Sequence, residues 1–301
     1  MPNESIFFAQ DLEYQETTIY EQTYPAFRFR DIFPVNNTGG EFITQISWRT
    51  FDRSGVAKVL SDYATDWPSV NISARKEYAP VKKVGDSAKF SAQEVGAAQQ
   101  NGMQLDSKLL TDMRRAYEER LDRIASSGDP SGLLGWNTNP YVPLATPTTS
   151  AGPGDDTWPN KTPDEILADV SLMMQAVIAN TQGSHGSGAM TLLLSPSRAA
   201  YLRTARLSNT TGTLISFVKD AFPNLTIVEW QRMATASTAG AQRASMFEAS
   251  PDVVEFREPS PFRILPLEKL PGGEVYQYLG RGFVGGLIVS KPLACVHMDG
   301  I

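Results

Sequence analysis

Few residues in this chain are of types that carry chemistry. Two histidines, His185 and His297, and one cysteine, Cys295, occur in 301 residues. Zinc sites draw on histidine and cysteine at short, regular spacings, and no such spacing exists here. His185 lies in the run Gly183-Ser184-His185-Gly186-Ser187, which reads as a solvated loop. His297 lies in the last apolar run and reads as a satisfied structural side chain. A Ser-His-Asp triad depends on geometry, not order. However, no G-x-S-x-G elbow is present to place a serine on a strand-to-helix turn. Gly280-Arg281-Gly282-Phe283-Val284-Gly285 matches G-x-G-x-x-G by letter. A dinucleotide site needs a helix to begin there, so that its N-terminus holds the pyrophosphate. Residues 286–291 instead form a β-type run ended by Pro292, so these glycines read as a turn between strands. Asp155-Asp156 stands in a Gly/Pro-rich stretch and reads as a solvated turn. No catalytic, cofactor-binding or metal-binding residue is assigned, and no cofactor is expected.

Composition narrows the class further. The formal net charge is -6, whereas proteins that grip nucleic acid carry a basic excess or a clustered basic face. Any nucleic acid would be enclosed, not bound by sequence. One cysteine excludes an intramolecular disulfide. The opening MPNESIFFAQDLEYQ lacks the basic start and apolar core of a signal peptide. No run reaches the ~18 apolar residues of a membrane span. The expectation is a soluble chain made in a cytoplasm, with no membrane partner.

These residues must be held by elements that the patterning predicts. Residues 1–30 mix aromatics with charges (Phe7, Phe8, Tyr14, Tyr20, Tyr24, Phe27, Phe29). They read either as an irregular segment on their own domain or as an arm on a neighbouring copy. Residues 42–59 and 69–90 are rich in β-branched and aromatic residues with partial alternation, around a break at Pro68. Together they predict a long two-stranded ribbon. An isolated hairpin is marginal in water and its edges invite another chain, so a second copy is the natural cover. Residues 106–127 predict a long helix, with Asp106 as N-cap and Gly128 as C′. Its apolar stripe is Leu109, Leu110, Met113, Tyr117, Leu121 and Ile124. Arg114/Glu118, Arg115/Glu119 and Glu119/Arg123 stand at i,i+4 on the other face. A shorter helix broken at Gly102 is expected just upstream.

The stretch 137–160 has no periodicity and reads as a surface connection. Beyond it, Thr162-Pro163-Asp164-Glu165 carries a full capping box. Helix and strand then alternate as in an α/β layer. From residue 244 onward the runs are mostly β, which suggests a return to the first domain.

Two segments carry a resemblance. Glu94 to Gly128, followed by Gly132-Leu133-Leu134-Gly135-Trp136-Asn137-Thr138-Asn139-Pro140, resembles the spine-helix region of encapsulin-like phage capsid proteins. The ending REPSPFRILPLE…RGFVGGLIVSKPLACVHMDGI resembles that group's ending. By element order the whole chain resembles a tailed-phage major capsid protein of the Hong Kong 97-type. The resemblance implies an α+β fold. Its parts would be an N-terminal arm (1–30), an extended β-hairpin loop with flanking strands (31–93), a peripheral domain with a long spine helix (94–145), an α/β axial domain (146–250) and a β return (251–301).

It also implies self-assembly into pentamers and hexamers of an icosahedral shell around double-stranded DNA. Scaffolding, portal and decoration proteins would be further partners, and the shell would be assembled in the host cytoplasm. Some members join a loop lysine to a neighbour's asparagine. Lys58, Lys76, Lys82 and Lys83 are available, but no asparagine follows Val253, so that cross-link is not expected. Nor does the chain carry the helical scaffolding extension of some members, so a scaffold would be separate or already removed. Trp48, Phe51, Trp67 and Tyr78 on the ribbon, and Arg114, Arg115, Glu118 and Glu119 on the helix, are the candidate assembly residues. An encapsulin compartment holding enzyme cargo is the alternative within this fold. Outside it, a soluble α/β enzyme and another virion component remain open.

Overall fold

The computed structural model describes residues 26–301 apart from 63, 64, 66, 95, 97–104, 151–155, 208–211 and 273. The aromatic segment before Ala26 and most of the helix expected upstream of residue 105 lie outside the described residues.

The chain enters through α1 (Phe29–Ile32), whose Phe29 and Ile32 are buried. It passes β1 (Val35–Asn36) and reaches the ribbon strands β2 (Gln45–Ser54) and β3 (Asn71–Pro80). These pair antiparallel from Gln45↔Pro80 to Ser54↔Asn71. The single long strand expected over 69–90 is two strands. Pro80 has no N–H to continue the ladder, and the Val81 amide donates instead to Thr44 O at 2.9 Å. The chain then leaves the ribbon as β4 (Lys82–Ser91), which pairs with β12 (Val275–Val284) along its whole length. Alternation turns Val84, Asp86, Ala88 and Phe90 inward. At its end, Ser91 and Glu94 bond reciprocally as a capping box (2.9 and 3.1 Å).

The long helix α2 (Leu105–Ser127) already includes Asp106, which was expected as its N-cap. It ends as expected. Gly128, at φ +72°, is the left-handed C′ residue, and its N–H reaches Ile124 O at 2.9 Å. Met113, Tyr117, Leu121 and Ile124 are buried, so the stripe docks as its spacing demands.

Residues 137–160 are less of a surface connection than their composition suggests. Asn139, Val142 and Trp158 are buried, and β5 (Leu144–Ala145) pairs parallel with β14 (Cys295–Asp299). Then α3 (Pro163–Asn180) opens on the expected capping box. After it come β6 (Met190–Leu194), α4 (Pro196–Thr204), α5 (Leu214–Ala221), β7 (Leu225–Glu229) and β8 (Arg243–Glu248). The returning chain builds β9 (Val254–Arg257), β10 (Ser260–Ile264), β11 (Glu268–Lys269), β12 and β13 (Gly286–Val289), and closes on β14.

Among the described residues the strands form four sheets: β1-β9-β13; β10-β12-β11 with β4 also on β12; β5-β14-β8-β6-β7; and the ribbon β2-β3. The five-stranded sheet joins the two main cores. Leu193, Phe247 and Cys295 point to the core of Phe33, Leu121, Trp136 and Trp230. Their neighbours Leu192, Leu194, Met246 and Val296 point to the core under α3, α4 and α5. The period of two along a strand puts one core on each face.

Candidate assembly interface

The ribbon is the least covered element. Its two faces follow from the register, since residues directly opposite share a face. Ile46, Trp48, Glu77 and Ala79 share the face turned toward the body and are half-buried. Ile46 packs against Gly285 at the root. Phe51, Ile72 and Tyr78 share the opposite face and are 66%, 69% and 60% exposed. Trp67 is 73% exposed, beyond the paired strands near the tip, where Val56 and Val59 are also exposed. The four ribbon candidates therefore do not form one patch. Phe51 and Tyr78 share a face but are well separated along it, Tyr78 standing opposite Ser47 and Phe51 opposite Ala74; Trp48 looks the other way, and Trp67 stands apart.

Below the ribbon runs a groove of about 520 Å³. It is lined by Trp48 and Arg75 of the inner face, by Leu134, Tyr141 and Leu287 of the body, and by Tyr78, so near its root the face that carries Tyr78 is not turned wholly away from the body. Tyr141 and Leu134 remain 65% and 43% exposed. Sequence reasoning missed both, because they stand in a Gly/Pro-rich stretch without periodicity.

The helix candidates separate too. Arg114 and Glu119 are exposed and Arg115 is half-buried. Glu118 is engaged within the chain, because its carboxylate accepts from Arg30 Nε (2.9 Å) and Nη2 (2.8 Å). Arg30 also donates to Glu258 (2.9 Å), a buried carboxylate that accepts from the Tyr117 hydroxyl at 3.0 Å. Burial works against the charge on Arg30, but the hydrogen bonds from Glu118 and Glu258 outweigh it and hold the guanidinium above its ordinary range. Burial, reinforced by the Glu258 carboxylate, pushes the Tyr117 phenol well up. The network ties the root of the N-terminal segment to the long helix.

The polar groups weighed as chemistry have structural roles. His297 is 3% exposed, with Nδ1 at 2.7 Å from Ser245 Oγ and Nε2 at 3.2 Å from Trp136 O. Burial, aided by Arg243, lowers it to about 3, so the ring is neutral. His185 is not a freely solvated loop residue. Its Nδ1 lies 2.8 Å from Glu248 Oε2, and both side chains are mostly covered. Burial raises the Cys295 thiol to about 12.

The glycine run 280–285 is no turn until its end. Gly280 and Gly282 stand inside β12, where a Cβ on Gly282 would strike the Tyr117 hydroxyl. The requirement is close approach, not turning. Asp156, read as part of a solvated turn, accepts from the Ser150 amide at 2.7 Å, while Asp155 lies outside the described residues. Among the described residues no three histidine, cysteine, aspartate or glutamate side chains come together as a metal site needs, and no helix is long and apolar enough to cross a membrane.

An exposed ribbon, a long helix under a β4-β12 sheet and an α/β layer sharing one sheet with the body define a shell-subunit architecture. This is the Hong Kong 97-type capsid fold. The chain is similar over 99% of both chains to the capsid of Myoviridae phage XM1, at 16% identity and TM-score 0.82. It is similar to a Mycobacterium phage Bobi structure over 95% and 94% of the two chains, at 14% identity and TM-score 0.64. A virus-like particle from Pyrococcus furiosus is similar over 90% and 91%, at 16% identity and TM-score 0.55. No curated protein sequence matches the chain significantly. A family model described as major capsid protein matches residues 55–301, and the chain belongs to that family. It is a shell-forming structural protein of the virion and not an enzyme.

Proposed function

We propose that the chain builds pentamers and hexamers of a closed icosahedral shell enclosing double-stranded DNA. The ribbon of each copy lies over the peripheral domain and long helix of the next. Contacts of this kind are heterologous, and a ring closes when the rotation returns on itself. The observation that carries this reading is the bare outer face of the ribbon, where Phe51, Ile72 and Tyr78 are all more than half exposed. Burying a side chain such as Phe51 or Ile72 contributes about 1.5–3 kcal/mol, against about 0.2–1 kcal/mol for an exposed ion pair. Apolar contacts thus set the strength of the interface, and charges such as Arg114, Arg115 and Glu119 set its register.

The domain limits given by element order (1–30, 31–93, 94–145, 146–250, 251–301) belong to this proposal. So do assembly in the host cytoplasm and separate scaffolding, portal and decoration proteins. The match to the major capsid protein family supports a virion shell around a genome, and a compartment holding enzyme cargo is the alternative.

The test is electron microscopy of the purified chain beside a variant in which residues 47–78 are replaced by a two-residue turn. The wild type is expected to form closed particles. The shortened chain should keep the circular dichroism of the body and form none. Particles from the shortened chain would refute the reading.

A further inference from the structure

A second crevice, of about 690 Å³, lies where the end of α2 faces the segment that follows β7. Arg123, Ser127 and Thr138 line one side, and Arg232, Thr235 and Thr238 the other. Small-molecule sites commonly have volumes of about 300–1,000 Å³. The lining holds three arginines and no aspartate or glutamate.

The sheet sets this position. β5, β14, β6 and β7 run in one direction and β8 in the other. The carboxyl ends of four strands and the start of β8 therefore share one edge. Arg232 and Thr235 follow the carboxyl end of β7, and Arg243 begins β8. Open α/β sheets take ligands in crevices outside the carboxyl ends of their strands.

Hydrogen bonding decides what the crevice offers. The Arg243 guanidinium is committed: Nε and Nη2 donate to Asp299, and Nη1 donates to Asn137 O at 2.7 Å. Arg232 uses only Nε, which donates to Asp122 Oδ2 at 2.8 Å, so both of its terminal nitrogens remain. Arg123 is exposed, and no carboxylate pairs with its guanidinium among the described residues. The hydroxyls of Thr235 and Thr238 have no partner among the described residues either. Open carbonyls at the end of a helix would repel an anion, but the last four of α2 are occupied. Ile124 O accepts from the Gly128 amide at 2.9 Å, and Ala125 O and Ser126 O accept from the Trp136 and Asn137 amides, each at 2.8 Å. Ser127 O accepts from the Thr138 hydroxyl at 3.2 Å. What remains is donors on both sides, and a charge on Arg123 that no acid of the lining cancels.

We propose that this crevice binds a small phosphate ester, of the nucleoside monophosphate kind. Arg123 and Arg232 grip the phosphate from opposite sides, and Thr235 and Thr238 donate to its oxygens. The organic part lies on Pro140, Val142 and Leu144, of which Leu144 is 61% exposed. A guanidinium fork fits a carboxylate and a phosphate alike. One fork already satisfies the two oxygens of a carboxylate, whereas two forks and two hydroxyls match the three terminal oxygens of a phosphate ester. The bound ester ties α2 to the segment after β7. This site is independent of the shell reading and stands or falls apart from it.

Calorimetric titration of the full chain with adenosine monophosphate, at fixed ionic strength, tests the site. Saturable binding with a Kd below about 1 mM is expected, together with a ligand-dependent rise in melting temperature. Adenosine and citrate should not bind. Arg123→Gln should weaken binding about tenfold and leave the melting temperature of the unliganded chain unchanged, because the side chain is exposed and unpaired. Arg232→Lys keeps the charge beside Asp122 but loses the fork, and should also weaken binding about tenfold. No saturable binding, equal binding of adenosine or citrate, or adenosine monophosphate binding that neither variant weakens overturns the proposal. Binding of a single-stranded oligonucleotide without binding of the monophosphate overturns it too, and assigns the surface to a nucleic-acid backbone.

Discussion

Replacing Asp169 with alanine should damage the chain more than any surface change. Asp169 on α3 forms an ion pair with Lys161 at 2.7 Å, and both side chains are fully buried. The same carboxylate accepts from Trp158 Nε1 at 3.1 Å and from the Thr148 amide and hydroxyl, each at 2.7 Å. Asp169→Ala leaves the Lys161 ammonium without a counter-charge, its remaining contact being Thr148 Oγ1 at 3.4 Å. Breaking a buried pair in this way costs about 3–5 kcal/mol. Each donor left unsatisfied adds about 1–3 kcal/mol, and such costs are not strictly additive. A loss of at least about 4 kcal/mol is a large part of a stability of about 5–15 kcal/mol.

Lys161→Met should cost less, because Asp169 keeps three of its four donors. The double variant Lys161→Met/Asp169→Ala should cost less than Asp169→Ala alone, because no unpaired ammonium is left buried, but it keeps the cost of the orphaned Trp158 and Thr148 donors. Urea unfolding of the dissociated subunit at pH 7, followed by circular dichroism and tryptophan fluorescence, gives the three values. Losses below about 1 kcal/mol, or Lys161→Met more harmful than Asp169→Ala, would refute the account of a carboxylate anchoring the 148–161 segment to α3.

The same geometry sets other outcomes. His297 is lowered from 6.5 to about 3, so the unfolded chain takes up a proton first on acidification. Its contribution to stability is complete above pH 6.5 and falls by up to about 1.4 kcal/mol per pH unit below that. Unfolding measured at pH 7, 6 and 5 should show this slope, and His297→Gln should lack it. Asp86 is raised by burial, and its Oδ1 is buried without a partner. Asp86→Asn should therefore stabilise the subunit at pH 7, with the advantage shrinking as the pH falls through the native pKa; a clear loss at pH 7 would count against it. Gly282→Val should drive Tyr117 from Glu258 and lower the melting temperature by several degrees. Cys295 should resist thiol reagents at pH 8 until urea unfolds the chain, and rapid labelling of the native subunit would contradict its burial.

Local signals in the residues determined a good deal. The capping box at Thr162–Glu165, the C′ glycine at 128 and the helical stripe from Met113 to Ile124 are each specified within a few positions, because hydrogen-bonding caps and helical spacing are short-range physics. The same range made the ribbon legible, since two β-rich runs with little core-forming bias need an outside partner. The absence of clustered histidine and cysteine was visible at once.

Tertiary structure alone decided which face each ribbon residue takes. Trp48 turns to the body and Phe51 to solvent because a one-residue step reverses the side chain and the register depends on the partner strand. It decided that Glu118 binds Arg30, 88 positions away, in place of a helical neighbour. It also buried Trp158 and Asn139 in a stretch whose composition reads as loop, and set glycines inside a strand where Tyr117 must fit. Each of these depends on groups brought together from distant parts of the chain, and no local pattern encodes where those groups meet.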